Sequence, residues 1–179
     1  DDDGVIQAPG TFINLATELG LIDELTHLVL AEIVRSIDLI NENFGADTTI
    51  SINVAAKQAG NPEFMRSFAQ ALEATGFPKR FMIEVTEDAF VTKTHFQDEI
   101  LPIFRKLGIG ISIDDFGIGY SSLSALADIT ADEIKIDRSF ITDIHLRPRS
   151  QGILRAIESL SEALGMTVIA EGVETYEEL

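Results

Sequence analysis

The chain has 179 residues and a formal charge of −17 at pH 7, because 30 acidic side chains oppose 13 basic ones. A surface this negative repels a long polyphosphate, so we expect no DNA or RNA polymer as a partner. Cysteine is absent, which excludes disulfides and thiolate chemistry. The first residues lack the pattern of a signal peptide, and no apolar run approaches the roughly 20 residues of a membrane span, so we expect a soluble chain.

Helix-like and strand-like segments alternate along the chain. Apolar residues at three-to-four spacing predict a helix from Ile22 to Asn43, and Asn61-Pro62-Glu63 supplies the N-cap, the N1 proline and the first-turn acid of the next helix. The same spacing predicts two more helices, which carry Phe96 to Leu107 and Ile153 to Leu164. The glycines that we expect to end these four helices are Gly45, Gly76, Gly108 and Gly165.

Five short apolar runs predict strands, and each carries an acid or an amide at its C-terminal end. They are ISINV with Asn53, FMIEVTE with Glu84 and Glu87, IGISIDDFG with Asp114 and Asp115, EIKID with Lys135 and Asp137, and TVIAEGVE with Glu171 and Glu174. Strands separated by helices favour right-handed βαβ units and a mostly parallel sheet in one domain, residues 1–179. Periodicity leaves open whether this sheet closes into a barrel.

The polar residues at the strand ends predict a metal site. Parallel strands present their C-terminal ends at one face, where (β/α) barrels build their active sites. We therefore expect these side chains to converge there. Carboxylate and amide oxygens are the ligands of hard divalent cations, so Mg²⁺ or Mn²⁺ is the expected occupant. The alternative is a scaffold whose acids form only a structural ion-pair network.

The sharpest local motif is the pair Asp114 and Asp115, followed by Gly117 and Gly119. Adjacent acids at a strand end repel each other unless a cation or hydrogen bonds compensate them. The glycines allow a tight loop that brings the backbone close to a ligand. The alternative is an acidic turn before a helix that Ser121-Ser122 caps.

Lys135 lies between two isoleucines, so strand alternation predicts that it faces the interior. A buried ammonium is costly, and a cluster of carboxylates is its natural compensation. In that position it would orient a metal-bound water and donate a proton. A structural bridge between Lys135 and Asp137 or another acid is the alternative.

The other acids have weaker local signals. Glu84 is expected to point into the barrel mouth, and Glu87 either braces a neighbouring loop or simply begins the next segment. Glu171 and Glu174 reach the same site, or they are acids that favour a helix start. Asn53 is a neutral oxygen donor that can complete a metal shell.

Taken together, these motifs resemble the EAL domain family, the bacterial phosphodiesterases of cyclic-di-GMP. The resemblance runs along essentially the whole chain. Its motifs are Pro9-Gly10 with Phe12, Gly20-Leu21-Ile22, Asn53-Val54, Glu84-Val85-Thr86-Glu87, Asp114-Asp115-Phe116-Gly117, Gly119-Tyr120-Ser121-Ser122-Leu123, Lys135-Ile136-Asp137 and Ala170-Glu171-Gly172-Val173-Glu174.

The resemblance implies an α/β fold, a (β/α)₈ TIM-like barrel of the EAL type with one antiparallel strand. It is expected here as a partial barrel that lacks N-terminal and C-terminal strands, including the Glu-Ala-Leu segment. Ile118 stands where threonine is usual in the family. The implied activity is hydrolysis of cyclic-di-GMP to the linear dinucleotide pGpG with two Mg²⁺ or Mn²⁺ ions. Because the Glu-Ala-Leu segment is absent, we expect weak or no turnover from this polypeptide alone and an active enzyme in the parent protein. The alternatives are an inactive cyclic-di-GMP receptor and, from another class, an open α/β phosphatase or receiver.

The resemblance also implies a role for each motif residue. The implied metal ligands are Asn53, Glu84, Asp114, Asp115 and Glu171, and the implied catalytic residues are Lys135, Asp115 and Glu171. Glu87, Gly117, Gly119 and Ser121 would stabilise the loop after the Asp pair, and Asp137 and Glu174 would lie nearby. The family further implies a homodimer through the 114–125 loop region and a cytoplasmic domain. The parent protein would be fused to GGDEF or sensory domains or anchored to a membrane.

Overall fold

The protein is described here by a computed structural model, which covers residues 6–87, 96–117 and 130–179. Within those ranges one sheet contains the strands β1 (Ile50–Val54), β2 (Phe81–Thr86), β3 (Gly110–Phe116), β4 (Glu133–Ile136) and β5 (Thr167–Ala170). The strands lie side by side in chain order, and all four pairings are parallel. The predicted parallel α/β sheet is therefore confirmed.

Helices connect the strands. The α-helices of the described ranges are α1 (Ile13–Glu18), α2 (Ile22–Arg35), α3 (Ile37–Phe44), α4 (Ala56–Ala59), α5 (Pro62–Ala74), α6 (Leu101–Leu107), α7 (Arg138–Ile141) and α8 (Pro148–Leu164). Shorter 3₁₀ turns are Pro9–Thr11, Pro78–Arg80, Ile144–Leu146 and Tyr176–Glu178, and a π-helical turn, Phe96–Ile100, precedes α6. None of the helices in these parts of the chain combines the length and the apolarity needed to cross a membrane.

The predicted helix ends are confirmed, but two predicted helices differ from the structure. The one from Ile22 to Asn43 is divided, and the one from Phe96 to Leu107 begins with the π-helical turn Phe96–Ile100. Asn61 caps α5, since its Oδ1 accepts hydrogen bonds from the amides of Glu63 and Phe64 at 3.1 and 3.3 Å. The four glycines expected to end helices all have positive φ, between 73° and 96°. The single helix predicted from Ile22 to Asn43 is wrong, because α2 ends before Ser36 and α3 begins after it. Ser36 has φ −96° and ψ 6°, outside the helical region, and its hydroxyl donates to Oε1 of Glu32 at 3.3 Å.

The two faces of the sheet differ in chemistry. The helix-side face is apolar and buried, and consists of Ile52, Val54, Ile83, Val85, Ile111, Ile113, Ile134 and Ile136. It packs in one core cluster with Phe64, Phe68 and Leu72 of α5 and with Phe104 of α6. Each fully buried apolar side chain contributes roughly 1.5–3 kcal/mol relative to exposure.

The opposite face carries a polar row. The strand register aligns Asn53 with Glu84, Glu84 with Ser112, and Ser112 with Glu133, one residue from each of four strands. Side chains of residues paired in register point to the same face, so these residues share a side. The apolar core on the other face fixes this register, because a slip by one residue would exchange the two faces.

Candidate active site

Three carboxylates surround the ammonium of Lys135. Its Nζ lies 3.1 Å from Oε2 of Glu84, 3.3 Å from Oδ1 of Asp114 and 2.5 Å from Oε1 of Glu171. The Lys135 side chain is only 14% exposed, so the strand alternation predicted its inward orientation correctly. The acids come from β2, from β3 and from the residue after β5. Convergence of the strand ends, predicted from the sequence, is confirmed for these four side chains.

The charge balance at Lys135 is unequal. Burial by itself lowers the pKa of Lys135, but hydrogen bonds to Glu171 and Glu84 and the charge of Asp114 outweigh it and raise the pKa above its ordinary value. Lys135 therefore stays protonated at neutral pH. Three acidic side chains share this one ammonium, an arrangement that makes the site attractive to a further cation.

A β-bulge in β3 places Asp114 and Asp115 next to Lys135. Between β3 and β4 the register passes from Ile113 opposite Ile134 to Phe116 opposite Ile136. Two residues of β3, Asp114 and Asp115, thus lie across from the single intervening residue of β4, as in a bulge.

Asp115 takes the unusual conformation in this bulge, with φ 56°. Its amide donates to Oδ1 of Asp114 at 3.1 Å. Burial, then the charges of Asp114, Asp137 and Glu171, raise the pKa of Asp115, and the ammonium of Lys135 opposes this only in part. Such crowding of acids around one carboxylate marks a place where a bound cation would relieve repulsion.

Asn53 lies at the end of β1 and contributes to a cavity of about 480 Å³. Asp114, Asp115 and Thr86 line the same cavity, so the Asn53 amide and the Asp pair open onto one space. Its other wall is apolar and comes mainly from α1 and α2, through residues that include Ile13, Ile22, Leu25 and Val29. The cavity therefore combines oxygen donors with an apolar surface.

Glu87 holds the start of the loop that follows β3. Its carboxylate is buried, and Oε2 accepts a hydrogen bond from the amide of Gly117 at 3.1 Å. Gly117 has φ 100°, and a Cβ there would lie 2.8 Å from the Phe140 ring. Gly119 and Ser121 fall outside the described residues, as do residues 118–125 of the predicted dimer region.

Asp137 and Glu174 lie at the rim. Oδ1 of Asp137 accepts from the Ser139 amide at 2.9 Å and caps α7, and hydrogen bonds from the Ser139 side chain and amide lower the pKa of Asp137. Glu174 pairs with Arg138 at 2.8 Å, and both side chains are exposed. The alternative of a bridge from Lys135 to Asp137 or another acid is confirmed for other acids, since Lys135 pairs with Glu84, Asp114 and Glu171.

The donor set fits a hard divalent cation by its chemistry. Asn53, Glu84, Asp114, Asp115 and Glu171 offer only carboxylate and amide oxygens, the ligands of Mg²⁺, Mn²⁺ and Ca²⁺. No group of three or more His, Cys, Asp or Glu within residues 6–87, 96–117 and 130–179 is already arranged to hold a metal. Three of the acids are directed at the Lys135 ammonium instead.

Sequence reasoning missed two polar contacts near the site. The hydroxyl of Ser112 donates to Oε1 of Glu133 at 2.8 Å on the polar face of the sheet. Alternation in EIKID could have found Glu133, because it lies two residues from Lys135 and so faces the same side. The other contact joins the buried Gln58 amide to Ile22, Asp23 and Thr26, which lie more than 30 positions away and so leave no local pattern in the sequence.

Comparison with known proteins identifies relatives along the full length. The family model of the EAL domain matches residues 1–179. The cyclic di-GMP phosphodiesterase PdeR of Escherichia coli (strain K12) is 36% identical over 171 residues, which make up 95% of this chain and 26% of PdeR. The chain spans only 20% of the length of protein y4lL of Sinorhizobium fredii and 34% of the length of PdeG of Escherichia coli, two further relatives.

Solved structures share the fold. The PaMucR phosphodiesterase in a c-di-GMP complex has a TM-score of 0.84 and 37% identity, over 96% of this chain and 75% of that chain. BlrP1 of Klebsiella pneumoniae, in a complex with calcium and cyclic diguanylate, has a TM-score of 0.70 and 34% identity, over 83% of this chain and 38% of that chain. The predicted partial barrel of the EAL type agrees with these similarities.

Proposed function

The chain belongs to the EAL domain family, and we propose that its strand-end site serves the metal-dependent hydrolysis of cyclic-di-GMP to pGpG. The observation that carries the proposal is the convergence of Glu84, Asp114 and Glu171 on Lys135 at the C-terminal ends of parallel strands. The names of PdeR and PaMucR as phosphodiesterases support the reaction type, and the calcium in the BlrP1 complex supports a cation.

The proposed metal ligands are Asn53, Glu84, Asp114, Asp115 and Glu171, which would hold two Mg²⁺ or Mn²⁺ ions. When bound, such ions lower the pKa of a water and neutralise charge on the phosphodiester. The need for them follows from charge, because a protein with net charge −17 otherwise repels an anionic dinucleotide.

The side chains would divide the work around the phosphodiester. Asp115 accepts a hydrogen bond from the attacking water and orients it. Lys135 keeps its proton, since its pKa is raised, and it donates from Nζ toward the phosphate or the leaving oxygen. The water oxygen bonds to phosphorus as one bridging P–O bond breaks. The Asp115 carboxylate takes the proton that the water loses, and the departing oxygen takes up one proton from solvent, so the proton count is unchanged. Glu171 holds Lys135 in place for this step.

The proposal also covers the loop after β3, a dimer contact and further domains of the parent protein. Glu87 and Gly117 stabilise the first turn of the loop that follows β3, and Gly119 and Ser121 would continue this role. The 114–125 region would form a homodimer contact that responds to metal binding. The parent protein would be fused to GGDEF or sensory domains.

A receptor that binds cyclic-di-GMP without cutting it is the second candidate. The observation in its favour is that three acids already engage the Lys135 ammonium, and the described part of the chain contains no preformed metal group. In a receptor, Lys135 would remain in that position and the dinucleotide would bind without a metal.

The test is incubation of the chain with cyclic-di-GMP and Mn²⁺, followed by chromatography of the products. The proposal predicts pGpG that appears only with the metal and that Glu84→Gln abolishes. Glu162→Gln, an exposed change on α8, is the matched control and should leave the rate unchanged. Binding without product fits a truncated phosphodiesterase or a receptor, and the same assay on a chain that carries the upstream Glu-Ala-Leu segment separates the two, since only the phosphodiesterase then forms pGpG. Neither binding nor product contradicts both candidates.

A further inference from the structure

A buried amide ties the edge of the sheet to helix α2. Gln58 of α4 is 1% exposed. Its Nε2 carries two hydrogens and lies within hydrogen-bonding distance of three acceptors, Oδ1 of Asp23 at 3.0 Å, Oγ1 of Thr26 at 3.0 Å and the carbonyl of Ile22 at 3.3 Å. Its Oε1 accepts from the amide of Ala55 at 3.1 Å. A buried amide with its donors and its acceptor all engaged is costly to disturb, because each orphaned partner loses roughly 1–3 kcal/mol.

Three of the four partners of Gln58 belong to α2, and the fourth, Ala55, is the N-cap of α4. Ile22, Asp23 and Thr26 form the first turns of α2, and Ala55 is the residue that follows β1. The Gln58 side chain therefore joins the start of a helix to the end of a strand across more than 30 positions of sequence.

The strand that Gln58 holds, β1, lies at one edge of the described sheet, as β5 does at the other. Within the described sheet β1 pairs only with β2. Asn53 is the penultimate residue of β1, two positions before Ala55. Hydrogen bonds of the ladder restrain its backbone from one side, and the Gln58–Ala55 bond restrains the chain just beyond it.

Both ends of this connection line the cavity next to the Asp pair. Ile22, Thr26 and Gln58 form part of its wall, and Asn53 faces it together with Asp114. A change in the distance between α2 and the end of β1 would therefore move Asn53 relative to Asp114.

We propose that Gln58 is a positioning residue for the metal site, which fixes Asn53 against the Asp pair by tying the end of β1 to α2. The proposal rests on the proposed function in that Asn53 is taken as a metal ligand. Gln58 itself does not touch the metal or the dinucleotide. Partners that orient metal ligands affect affinity without binding the ion themselves.

The test reverses the donor and the acceptor of the hydrogen bond between Gln58 and Asp23. Gln58→Glu keeps the size of the side chain but removes the amide donors and places a carboxylate beside Asp23. Adding Asp23→Asn returns an amide that can donate to the new carboxylate. Gln70→Glu, an exposed change on α5, is the control for an added charge.

Gln58→Glu should weaken Mn²⁺ affinity, measured by calorimetry, by about 10-fold. This is the lower end of the loss seen when a residue that orients a metal ligand is changed. The Asp23→Asn/Gln58→Glu chain should recover most of this loss, and Gln70→Glu should bind Mn²⁺ as the unaltered chain does. A thermal midpoint recorded for each variant separates loss of folding from loss of affinity.

The positioning claim has a readout that needs no metal. In the metal-free protein, the side-chain amide resonances of Asn53 should shift in Gln58→Glu and return in the exchanged pair. If the unaltered chain binds no Mn²⁺, the proposed function fails, while these resonances still test the tie. Unchanged Asn53 resonances in a folded Gln58→Glu chain, or a shift that the exchanged pair does not reverse, would overturn the inference.

Discussion

The Lys135 ammonium lies 2.5 Å from the Glu171 carboxylate, and this contact joins β4 to the segment after β5. The same nitrogen reaches Glu84 and Asp114, so one cation connects the ends of neighbouring strands. A divalent cation that binds these acids must share them with the ammonium. The energetics of the site therefore depend on Lys135 as much as on the acids.

Replacing Lys135 by methionine should destabilise the chain at neutral pH. The change leaves three carboxylates close together without their cation, and removal of one partner from a buried pair costs up to about 3–5 kcal/mol. We expect less than that, because Glu171 is one-third exposed. Urea denaturation measures the difference, and Mn²⁺ should restore part of it if the acids bind the ion.

The pH dependence of that difference has a definite sign. Folding raises the pKa of Lys135, so its contribution is fully present below the unfolded pKa of roughly 10.4. It is lost as pH rises from there through the higher folded pKa. The gap between the unaltered chain and Lys135→Met should be constant from about pH 7 to 9 and shrink above about 10. A gap that stays constant into strong alkali would contradict the raised pKa.

Asp114→Asn should lower the pKa of Asp115. Burial is the main reason that this pKa is raised, and the charge of Asp114 is the next. Removal of that charge leaves burial in place and so moves the pKa only part of the way back. Titration of the ¹³C carboxyl resonance of Asp115 measures the shift. Asp98→Asn, which lies in the π-helical turn Phe96–Ile100 and is not among the causes of the Asp115 shift, is the control.

Gly117→Ala should destabilise the turn that Glu87 holds. The backbone at Gly117 has φ 100°, and the new Cβ would meet the Phe140 ring at 2.8 Å. We expect a loss of about 1–3 kcal/mol from conformational strain, with the clash in addition. Denaturation of Gly117→Ala/Phe140→Ala separates the two causes, since the second change removes the clash and leaves the strain.

Gly152 provides the matched comparison for that prediction. It lies within α8 at an ordinary φ, and a Cβ there would meet nothing within 4 Å. Gly152→Ala should therefore stabilise the chain by about 0.5–1 kcal/mol. Equal effects of alanine at the two glycines would show that the turn at Gly117 is not constrained.

Glu178→Gln should cost stability at neutral pH but not in acid. Amides of Glu174 and Asp143, and then that of Thr175, donate to the Glu178 carboxylate and lower its pKa to about 2. A lowered pKa gives a contribution that is present above the unfolded value of roughly 4.3 and is lost as pH falls through the folded value. The stability difference should therefore disappear between these two pH values. Glu177→Gln, which removes the same charge from the adjacent residue, is the control for the loss of one charge.

Residues that follow local rules could be predicted from the sequence. Alternation of apolar and polar residues in EIKID predicted the orientation of Lys135, because a strand with one buried face has only one acceptable register. Asn61-Pro62 predicted the start of α5, since capping depends on residues that are adjacent in the chain. Positive φ at the helix ends was predictable for the same reason.

Features that depend on distant partners could not be predicted in this way. The interruption of the first long helix at Ser36 leaves the apolar spacing intact, so periodicity does not reveal it. The bulge at Asp114 and Asp115 arises only when β3 and β4 pair. The contacts of Gln58 with Asp23 and Thr26 connect positions more than 30 residues apart. The segment around Gln58 therefore looks like an ordinary short helix in the sequence.

The measurement that tests the central claim most directly is anomalous diffraction at the manganese edge from crystals grown with Mn²⁺ and cyclic-di-GMP. The account predicts manganese peaks roughly 2.0–2.2 Å from oxygens of Glu84, Asp114 and Asn53, close to the range for a small hard cation. It also predicts that the contacts of Lys135 with these acids lengthen. The absence of manganese from these oxygens while the dinucleotide is bound would contradict the account, and the acids would then be a structural partner of Lys135.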